Sequence, residues 1–447
     1  MTEADHQAVS ACLADPTRYL TNAQTVQRLS RDFYWYSPVL KALLDDKTAE
    51  AVAQPISIEE ITATLACCHA RNIPVTARGA GTGNYGQAIP LHGGIVLDLA
   101  RMDAIEEITP EGVAITGPGT RLGVLETHAR TLGWELRCYP STVAKASVGG
   151  FLGGGSGGIG SVAHGGLRDF ETVRFIDVVT MEPTPRLIHH AGNQVHEVIH
   201  SWGTNGIIVR IGLALTPAVD WAQCAVAFPT FAAAYDFSEA IATQDTWAKR
   251  LITTFEHPIP AAFAPIVNIT RPGQALIFFM IAASQLEALQ AAAEAAGGVV
   301  THAAPYQGLR TQPLLSDYTW NHTTLWAMKL DPEYTYLQCG FSPTEVRSQF
   351  AQLKQKYGED FLFHIEFMKN GTGAVIPGSI PIVRFSTVAR LNEMIDFCRS
   401  IGVFVANPHS NNVEGGGRYH PDNIQLITKQ KYDPQNLLNP GKMATFP

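Results

Sequence analysis

The sequence predicts an α+β protein of two or three domains, with a glycine-rich N-terminal half followed by a glycine-poor part. Two glycine-dense stretches, at 79–86 and 149–160, lie between short apolar segments that have the composition of β-strands. Residues 220–400 instead alternate strand-like and helix-like segments without such glycine clusters. At 447 residues the chain is too long for a single hydrophobic core, so the two compositions predict separate domains.

Before the first glycine-rich stretch, the pattern predicts helices and one strand. Residues 1–50 show helical spacing of apolar residues and include an aromatic segment at 32–40. We expect this segment to pack on the N-terminal domain, with substrate contact as the alternative. A helix begins at Ser57, whose hydroxyl can cap the first turn, and its apolar residues fall on one side. A β-branched strand at Val75 then leads into the glycines.

The stretch 79–86 predicts a cradle for an anionic group such as a pyrophosphate. Four glycines in eight residues leave successive backbone N–H groups unobstructed and permit positive φ. The spacing resembles the GxGxxG fingerprint, but that motif needs a helix directly after the loop. Here a proline and two more glycines follow, and then a strand at 94–99. This order favours a strand–loop–strand cradle over a Rossmann turn, with an ordinary glycine-rich turn as the alternative.

The second glycine-rich stretch, 149–160, follows Ser147 and precedes an apolar strand at 174–180. A flexible linker is the alternative interpretation of such a composition. Linkers rarely separate two core strands, so close approach of the backbone to a flat ring explains the missing side chains better. Two short strands at 105–118 and an amphipathic helix at 121–132 complete this half of the chain.

Residues 220–400 predict an antiparallel sheet with helices on one face. The predicted elements are 224–228, 231–243, 275–283, 285–296, 344–357, 361–368 and 388–401. The chain then contains a strand-like run at 404–406 and a closing segment at 433–443 that is rich in asparagine and proline.

Composition argues against several partners and compartments. The formal net charge of −8 is spread without blocks of like charge, which argues against nucleic acid or an anionic membrane surface. Seven cysteines without CxxC spacing favour reduced thiols in the cytoplasm over a disulfide framework or a zinc site. The acidic N-terminus does not read as a signal peptide, and no run approaches about 18 apolar residues. We therefore expect a cytoplasmic protein without membrane insertion.

Four motifs share one order and spacing with a known family: RGAGTGNYGQA at 78–88, PST with SVGGFLGGG at 140–155, GTNGII at 203–208 and LNPGKM at 438–443. Together they resemble the FAD-binding domain of the vanillyl-alcohol oxidase / p-cresol methylhydroxylase (PCMH-type) flavoprotein superfamily. The likeness is greatest to its glycolate-oxidase-type branch.

This resemblance implies a two-part FAD-binding domain with an inserted α+β cap, which is where family members place their substrate domain. The expected limits are 1–217 for the N-terminal part, 218–401 for the cap and 402–447 for the segment that returns to the FAD-binding domain.

The resemblance also implies FAD as the cofactor. The expected cofactor-binding residues are Arg78, Gly79, Ala80, Gly81, Thr82, Gly83, Asn84, Gly86, Pro140, Ser141, Ser147, Gly149, Gly150, Gly154, Gly155, Gly203, Gly206, Ile207 and Ile208. Several family members attach the flavin to a histidine of the first loop, but Thr82 stands at that position. Val143 stands near the place of the second, thiol link seen in some relatives. We therefore expect the FAD to be bound non-covalently.

One predicted strand of the cap carries a candidate general base. In 361–368, a period of two places four apolar residues on one face and His364 and Glu366 on the other. A carboxylate beside an imidazole can orient it to accept the proton of a substrate hydroxyl. A solvated outer face of the strand is the alternative.

Two further segments supply candidate catalytic and substrate-contacting residues. Tyr318, Trp320 and His322 would share one face and form aromatic walls with a polar group between them. His409 and Asn411 lie in the segment that relatives bring over the flavin ring. The residue patterns and the resemblance together thus leave three histidines, His322, His364 and His409, as candidates for the base.

The stretch 196–200 reads HEVIH and matches the HExxH zinc signature. The helix that this motif requires would be barely two turns long before Gly203, and no third ligand follows at a recognisable spacing. We therefore expect no metal site.

The sequence thus predicts an FAD-dependent oxidoreductase that oxidises a CH–OH group of a small alcohol or hydroxy acid. Arg384 is a candidate partner for a substrate carboxylate, with a surface arginine as the alternative. The metal-associated HAGDG motif of some glycolate-oxidase-type relatives is absent, which weakens the case for hydroxy acids. Oxygen or a redox carrier would accept the electrons, and a homodimer is among the assemblies that the resemblance allows. The alternative function is a non-catalytic flavin subunit that passes electrons inside a larger complex.

Overall fold

Four β-sheets organise the fold in this computed structural model, which describes residues 1–416 and 423–446. Two of the sheets belong to the N-terminal half and two to the predicted cap. This α+β architecture is the predicted one. Among the described helices, none combines the length and hydropathy that a membrane crossing would need.

The first sheet presents the first glycine-rich loop. Its strands are β1 (Tyr19–Leu20), β2 (Ala51–Ala53), β3 (Val75–Arg78) and β4 (Ile95–Asp98), in the order β1-β2-β4-β3. Strands β2 and β3 each pair with β4 in parallel. The glycine-rich loop is part of the connection between the end of β3 and the start of β4. The surrounding helices are α1 (Glu3–Ser10), α2 (Ala23–Leu29), α3 (Pro38–Leu44) and α4 (Ile58–Ala70). As predicted, Ser57 caps α4 by accepting a hydrogen bond from the N–H of Glu60.

The second sheet is antiparallel. Its strands are β5 (Ile105–Ile108), β6 (Val113–Thr116), β7 (Trp134–Leu136), β8 (Val173–Val179), β9 (Leu187–Ala191) and β10 (Ile207–Pro217). Their order is β5-β6-β10-β8-β9, and β7 pairs with the end of β10. Helices α5 (Leu122–Thr131), α6 (Val148–Gly154) and α7 (Ser161–His164) connect these strands.

Helix α6 is formed by the second glycine-rich stretch, where the sequence indicated no helix. Ser147 accepts a hydrogen bond from the N–H of Gly150 at 3.2 Å and so caps the first turn. Val148, Phe151 and Leu152 are buried in the core of this half. Tertiary burial therefore outweighs the low helix propensity of glycine.

After residue 217, the described residues form the two remaining sheets and six more helices. The strands are β11 (Trp221–Phe228), β12 (Lys249–Phe255), β13 (Ala275–Ala282), β14 (Val299–Pro305), β15 (Tyr334–Tyr336), β16 (Gln338–Gly340), β17 (Phe361–Leu362), β18 (His364–Lys369), β19 (Val375–Ser379), β20 (Ile382–Arg384) and β21 (Phe404–Ala406). The helices are α8 (Phe231–Thr243), α9 (Leu286–Ala295), α10 (Asn321–Leu330), α11 (Val346–Tyr357), α12 (Val388–Ser400) and α13 (Asn423–Tyr432).

The large cap sheet is antiparallel, in the order β14-β11-β13-β12-β18-β19-β16-β21, and a small sheet has the order β15-β20-β17. Helices α8, α9, α11 and α12 share one hydrophobic core with the large sheet. Within that core, Phe350 of α11 packs on Phe363, with ring centroids 4.3 Å apart. The predicted antiparallel sheet with these four helices on one face is found, and α10 in addition packs on the opposite face, where Ala327 shares a core with Ala225 and Phe278.

The segment after residue 401 begins with strand β21. It pairs with β16 at the edge of the large cap sheet, so the expected boundary at 401/402 falls before the last cap strand. The chain then reaches the first sheet, where Leu438 forms a parallel bridge with Val75 of β3.

A buried cation joins the two halves. Arg250 of β12 donates to Glu126 of α5 at 2.9 Å and lies 3.3 Å from Glu135 of β7. All three side chains are almost fully buried. The two acids and the carbonyl oxygen of Leu136 satisfy the guanidinium, so the cap is fixed against the N-terminal half.

Candidate functional site

The two glycine-rich stretches lie against each other and form a cradle. Gly81 has φ of +64°, and a Cβ there would overlap the guanidinium of Arg78. A Cβ at Gly79 would overlap the hydroxyl of Ser147, and it would lie 3.1 Å from the Cα of Gly150. Glycine is required at both positions because the backbone and its neighbours leave no room for a side chain.

This cradle forms one wall of a cavity of about 930 Å³. Seventeen of the nineteen expected cofactor-binding residues line it: Arg78, Gly79, Ala80, Gly81, Thr82, Gly83, Asn84, Pro140, Ser141, Ser147, Gly149, Gly150, Gly154, Gly155, Gly203, Gly206 and Ile208. Gly86 and Ile207 are outside the lining. Gly86 turns the loop at φ of +72°, and Ile207 is fully buried in the core of the first sheet.

The C-terminal motif supports the cradle from behind. The side-chain amide of Asn439 donates to the carbonyl oxygens of Gln87 and Trp202, at 2.8 and 2.7 Å. Lys442 is fully buried, and its ammonium has no hydrogen-bond partner among the described residues. Burial lowers the pKa of Lys442 to about 7 and raises the pKa of nearby Asp32, which lines the cavity, to about 6.

These features fit FAD. The glycines leave backbone N–H groups and space where side chains would intrude, and the unpartnered ammonium adds positive potential near an anionic group. Flat aromatic residues continue the same wall, since Tyr85 stacks on Trp202 with an interplanar angle of 11°. Backbone from 79–84 and 147–155 would hold the cofactor.

Strand β18 forms part of the opposite wall. Phe361, Phe363, Ile365 and Phe367 all enter the cap core, which confirms the predicted alternation. Glu366 faces the other way and lines the cavity. Both Glu366 and His364 are almost fully buried, so the solvated outer face that the sequence left open is excluded.

Glu366 is the centre of a buried hydrogen-bond network. It accepts from the hydroxyl of Thr253 at 2.6 Å and from the backbone N–H of Trp320 at 2.7 Å. The third contact is His364 Nε2, at 2.9 Å. Trp320 has a strained backbone, with φ of +52° and ψ of −138°, and the hydrogen bond to Glu366 holds it there.

His364 has no nitrogen free for a substrate. Its Nδ1 lies 3.1 Å from the carbonyl oxygen of Ile380, which can only accept a hydrogen bond. Nδ1–H therefore donates to that oxygen, and Nε2 is engaged by the Glu366 carboxyl. His364 does not line the cavity, so the predicted role of general base does not fit its placement.

The segment around Trp320 is helical, where the sequence predicted one extended face. Residues Leu315–Tyr318 form a 3₁₀ turn and Asn321 begins α10. As a result Tyr318 turns away from the cavity and stacks on Trp326, with ring centroids 5.4 Å apart. Trp320 and His322 do line the cavity.

His322 has the geometry of a neutral proton acceptor. Its Nδ1 lies 3.1 Å from the backbone oxygen of Asp317, so Nδ1–H donates there and Nε2 keeps a lone pair. Nε2 has no hydrogen-bond partner among the described residues. Burial, opposed by the hydrogen bond to Asp317, lowers the pKa of His322 to about 4.

Three other predicted site residues lie outside the cavity lining. His409 is buried between Ser37 Oγ at 2.7 Å and the carbonyl oxygen of Tyr336 at 2.8 Å, so neither ring nitrogen is free. Arg384 pairs with Asp331 and Glu333, which makes it the surface arginine of the alternative interpretation. Asn411 does not reach the cavity either.

The structure adds lining residues that the sequence did not single out. They include Asp32, Tyr36, Trp202, Asp317, Asn321, Trp326, Lys369 and Phe404. Tyr36 belongs to the aromatic segment at 32–40, which both packs on the N-terminal half and reaches the cavity. For Trp326 the available signal was its position four residues after His322, which places both on one side of a helix; the prediction of a strand for this segment hid that signal.

The HExxH stretch is not on an α-helix. Residues Gly192–Glu197 form a 3₁₀ helix and His200 has φ of +60°, so the two histidines do not have the i, i+4 arrangement of a helix. Within the described part of the chain, no group of three or more His, Cys, Asp or Glu residues is placed to hold a metal.

Comparisons with known proteins agree with this geometry. Residues 49–184 match the sequence family described as "FAD binding domain". The D-lactate dehydrogenase of Archaeoglobus fulgidus is 31% identical over 189 residues, which are 40% of this chain and 42% of the relative. The glycolate oxidase subunit GlcD of Escherichia coli is 36% identical over 115 residues, 26% of this chain and 23% of the subunit. The matched part thus spans less than half of the length of these relatives.

A solved structure extends the likeness to the whole chain. An alkyldihydroxyacetonephosphate synthase superposes with a TM-score of 0.74 at 15% identity, over 98% of this chain and 86% of that protein. The similarity of fold therefore includes the cap. The match to the FAD binding domain family lies in residues 49–184, and the likeness over the whole chain is one of fold.

Proposed function

We propose that the protein is an FAD-dependent oxidoreductase that oxidises a CH–OH group of a small organic substrate. One observation carries this proposal: the glycine cradle and the cap side chains line a single cavity. A flavin that only relays electrons would need no polar pocket from a second domain. Relatives named D-lactate dehydrogenase, glycolate oxidase subunit and FAD-linked oxidoreductase support the redox assignment.

In this proposal His322 accepts the proton of the substrate hydroxyl. Its Nε2 lone pair is available at neutral pH because burial keeps the ring uncharged. When bound, FAD supplies the hydride acceptor. Trp320 and Trp326 provide apolar walls that exclude water from the reacting group.

Glu366 and His364 act indirectly in this proposal. The carboxyl of Glu366 fixes the N–H of Trp320, two residues before His322, and His364 fixes the carboxyl. They are therefore positioning residues, which keeps the predicted pair at the site but changes its role.

The test is anaerobic photometry of the FAD-loaded protein with a panel of alcohols, hydroxy acids and sugars. Loss of the flavin absorbance with one compound class supports the proposal, and slow reduction in His322→Gln would tie the chemistry to the proposed base. If no compound reduces the flavin but a protein or dye donor does, the chain is the electron-transfer subunit of the alternative. Reoxidation in air distinguishes oxygen from a redox carrier as acceptor.

The FAD is proposed to be non-covalent. Thr82 lines the cavity at the loop position where a histidine would form the link, and neither Thr82 nor Val143 offers a nucleophile for it. Acid precipitation should leave the yellow colour in the supernatant, and colour in the pellet would contradict the proposal.

A cytoplasmic location and a homodimer complete the proposal. All seven cysteines are free thiols, and five of them are buried, which suits a reducing compartment. Light scattering of the FAD-loaded protein would measure the assembly, and fractionation of the source cells would measure the location.

A further inference from the structure

Asp317 is a carboxylate that lines the cavity without a partner. It lies in the 3₁₀ turn that precedes α10, its side chain is exposed, and it is among the residues that line the cavity. Its side chain makes neither a hydrogen bond nor an ion pair with the described residues, while its backbone oxygen holds His322. Enclosure by protein raises the pKa of Asp317 to about 6, and no neighbouring cation opposes that effect.

The rest of the cap wall offers little positive charge. Lys369 is the only lysine or arginine that the described cap residues contribute to the lining, and its ammonium lies 4.0 Å from the exposed Asp245. Arg384, the arginine predicted to hold a substrate carboxylate, is neutralised by acids outside the cavity. Glu366, which also lines the cavity, is a carboxyl bonded to His364 and adds no positive charge.

A hydroxy acid is poorly matched to this wall. Its carboxylate offers only hydrogen-bond acceptors, and the Asp317 carboxylate that lines the cavity is also an acceptor. A hydroxyl or ammonium group on the ligand would instead donate to Asp317 and satisfy it. The flat side chains of Trp320, Trp326 and Phe404 add apolar surface beside it.

We propose that the substrate is an alcohol without a carboxylate, which offers Asp317 a second hydrogen-bond donor while its reacting hydroxyl faces His322. This inference rests on the proposed oxidation of a CH–OH group. Asp317 then determines specificity, and it separates this site from those of relatives whose names specify lactate or glycolate, both hydroxy acids.

The experiment compares matched pairs of ligands that differ only in the group beside the reacting carbon. Lactate is paired with 1,2-propanediol and 1-amino-2-propanol, and mandelate with 1-phenyl-1,2-ethanediol. Two readouts are measured on the FAD-loaded protein: the anaerobic rate of flavin reduction, and equilibrium binding from the shift of the flavin spectrum. We expect the diols and the amino alcohol to bind and react better than the acids.

The variants assign the preference to a residue. Asp317→Asn should weaken diol binding by about 10- to 100-fold, the range for loss of a hydrogen bond to a charged group, and should narrow the discrimination against acids. Asp331→Asn removes a carboxylate outside the cavity and is the matched control, with diol binding unchanged. Lys369→Met tests the opposite possibility, a carboxylate anchor.

The outcomes are distinguishable. Hydroxy acids that bind or react better than the diols, and lose affinity in Lys369→Met but not in Asp317→Asn, would overturn this substrate class while the oxidoreductase stands. Diols that bind in an Asp317-dependent way without reducing the flavin would uphold the recognition and refute the redox function. Binding of both classes with no effect of Asp317→Asn would also overturn the inference.

Discussion

The glycine cradle can be tested by a single methyl group at Gly81. This residue has φ of +64°, and a Cβ would overlap the guanidinium of Arg78, which donates to the carbonyl oxygen of Arg31. Gly81→Ala therefore has two costs in the cradle conformation. The first is a left-handed backbone at a non-glycine residue, and the second is displacement of a buried cation from its acceptor.

The magnitudes of the two costs give the expected loss of affinity. The left-handed conformation costs about 1–2 kcal/mol. A hydrogen bond of a charged group contributes about 1.5–3 kcal/mol. The free loop can relax away from the overlap, so FAD binding has to restore the strained conformation and bears most of both costs. Together they predict about 10²- to 10³-fold weaker FAD binding.

The assay is titration of apoprotein with FAD, followed by quenching of flavin fluorescence. Gly133→Ala is the matched control, because Gly133 has φ of +80° but a Cβ there meets nothing within 4 Å. It lies outside the cavity lining, so the same backbone strain should lower stability and leave the Kd for FAD unchanged. A wild-type Kd in Gly81→Ala would refute the placement of the cradle.

Three further predictions concern the cap and its attachment. Because burial lowers the pKa of His322 to about 4, the rate of anaerobic flavin reduction should be level above about pH 5 and should be halved near pH 4, where half of the rings are protonated. His322→Gln should lower the rate in the level range by about 10²–10⁴. Glu366→Gln should slow flavin reduction by about tenfold, because it weakens the hydrogen bond to the Trp320 N–H that positions the segment of His322. The Kd for FAD should not change, since the cradle is untouched. An unchanged rate would show that Glu366 does not position His322. His409→Ala should lower the free energy of unfolding in urea by about 1–3 kcal/mol, because the buried hydroxyl of Ser37 loses the ring nitrogen that it contacts. The rate of flavin reduction should not change, and a large loss of rate would return His409 to the catalytic candidates.

The cofactor half was predictable because its determinants are local. Positive φ at Gly81 and the cap of α4 at Ser57 depend on residues a few positions apart, and the motifs carry them in order. The alternation around Glu366 was equally readable, because a strand with one face in a core repeats every two residues.

The catalytic side was harder to predict because its determinants are long-range. Both ring nitrogens of His409 are occupied, one by Ser37, 372 residues away in sequence, and the other by Tyr336, so neither is available to a substrate. Around Trp320 the polar and aromatic residues fit a strand or a short helix equally well. Glu366, 46 residues further on, accepts a hydrogen bond from the Trp320 N–H and helps to stabilise the helical conformation.

The contact between β3 and the LNPGKM segment has a consequence for biosynthesis. Asn439 lies 363 residues after Thr76, with which it shares a hydrogen bond. At about 5–20 residues per second, a ribosome needs roughly 20–70 s to add them. During that interval the edge of the first sheet lacks its closing neighbour, while the cap is still being made. We expect flavin loading to follow release of the chain, and the nascent N-terminal half to be a client of chaperones that shield unpaired strands.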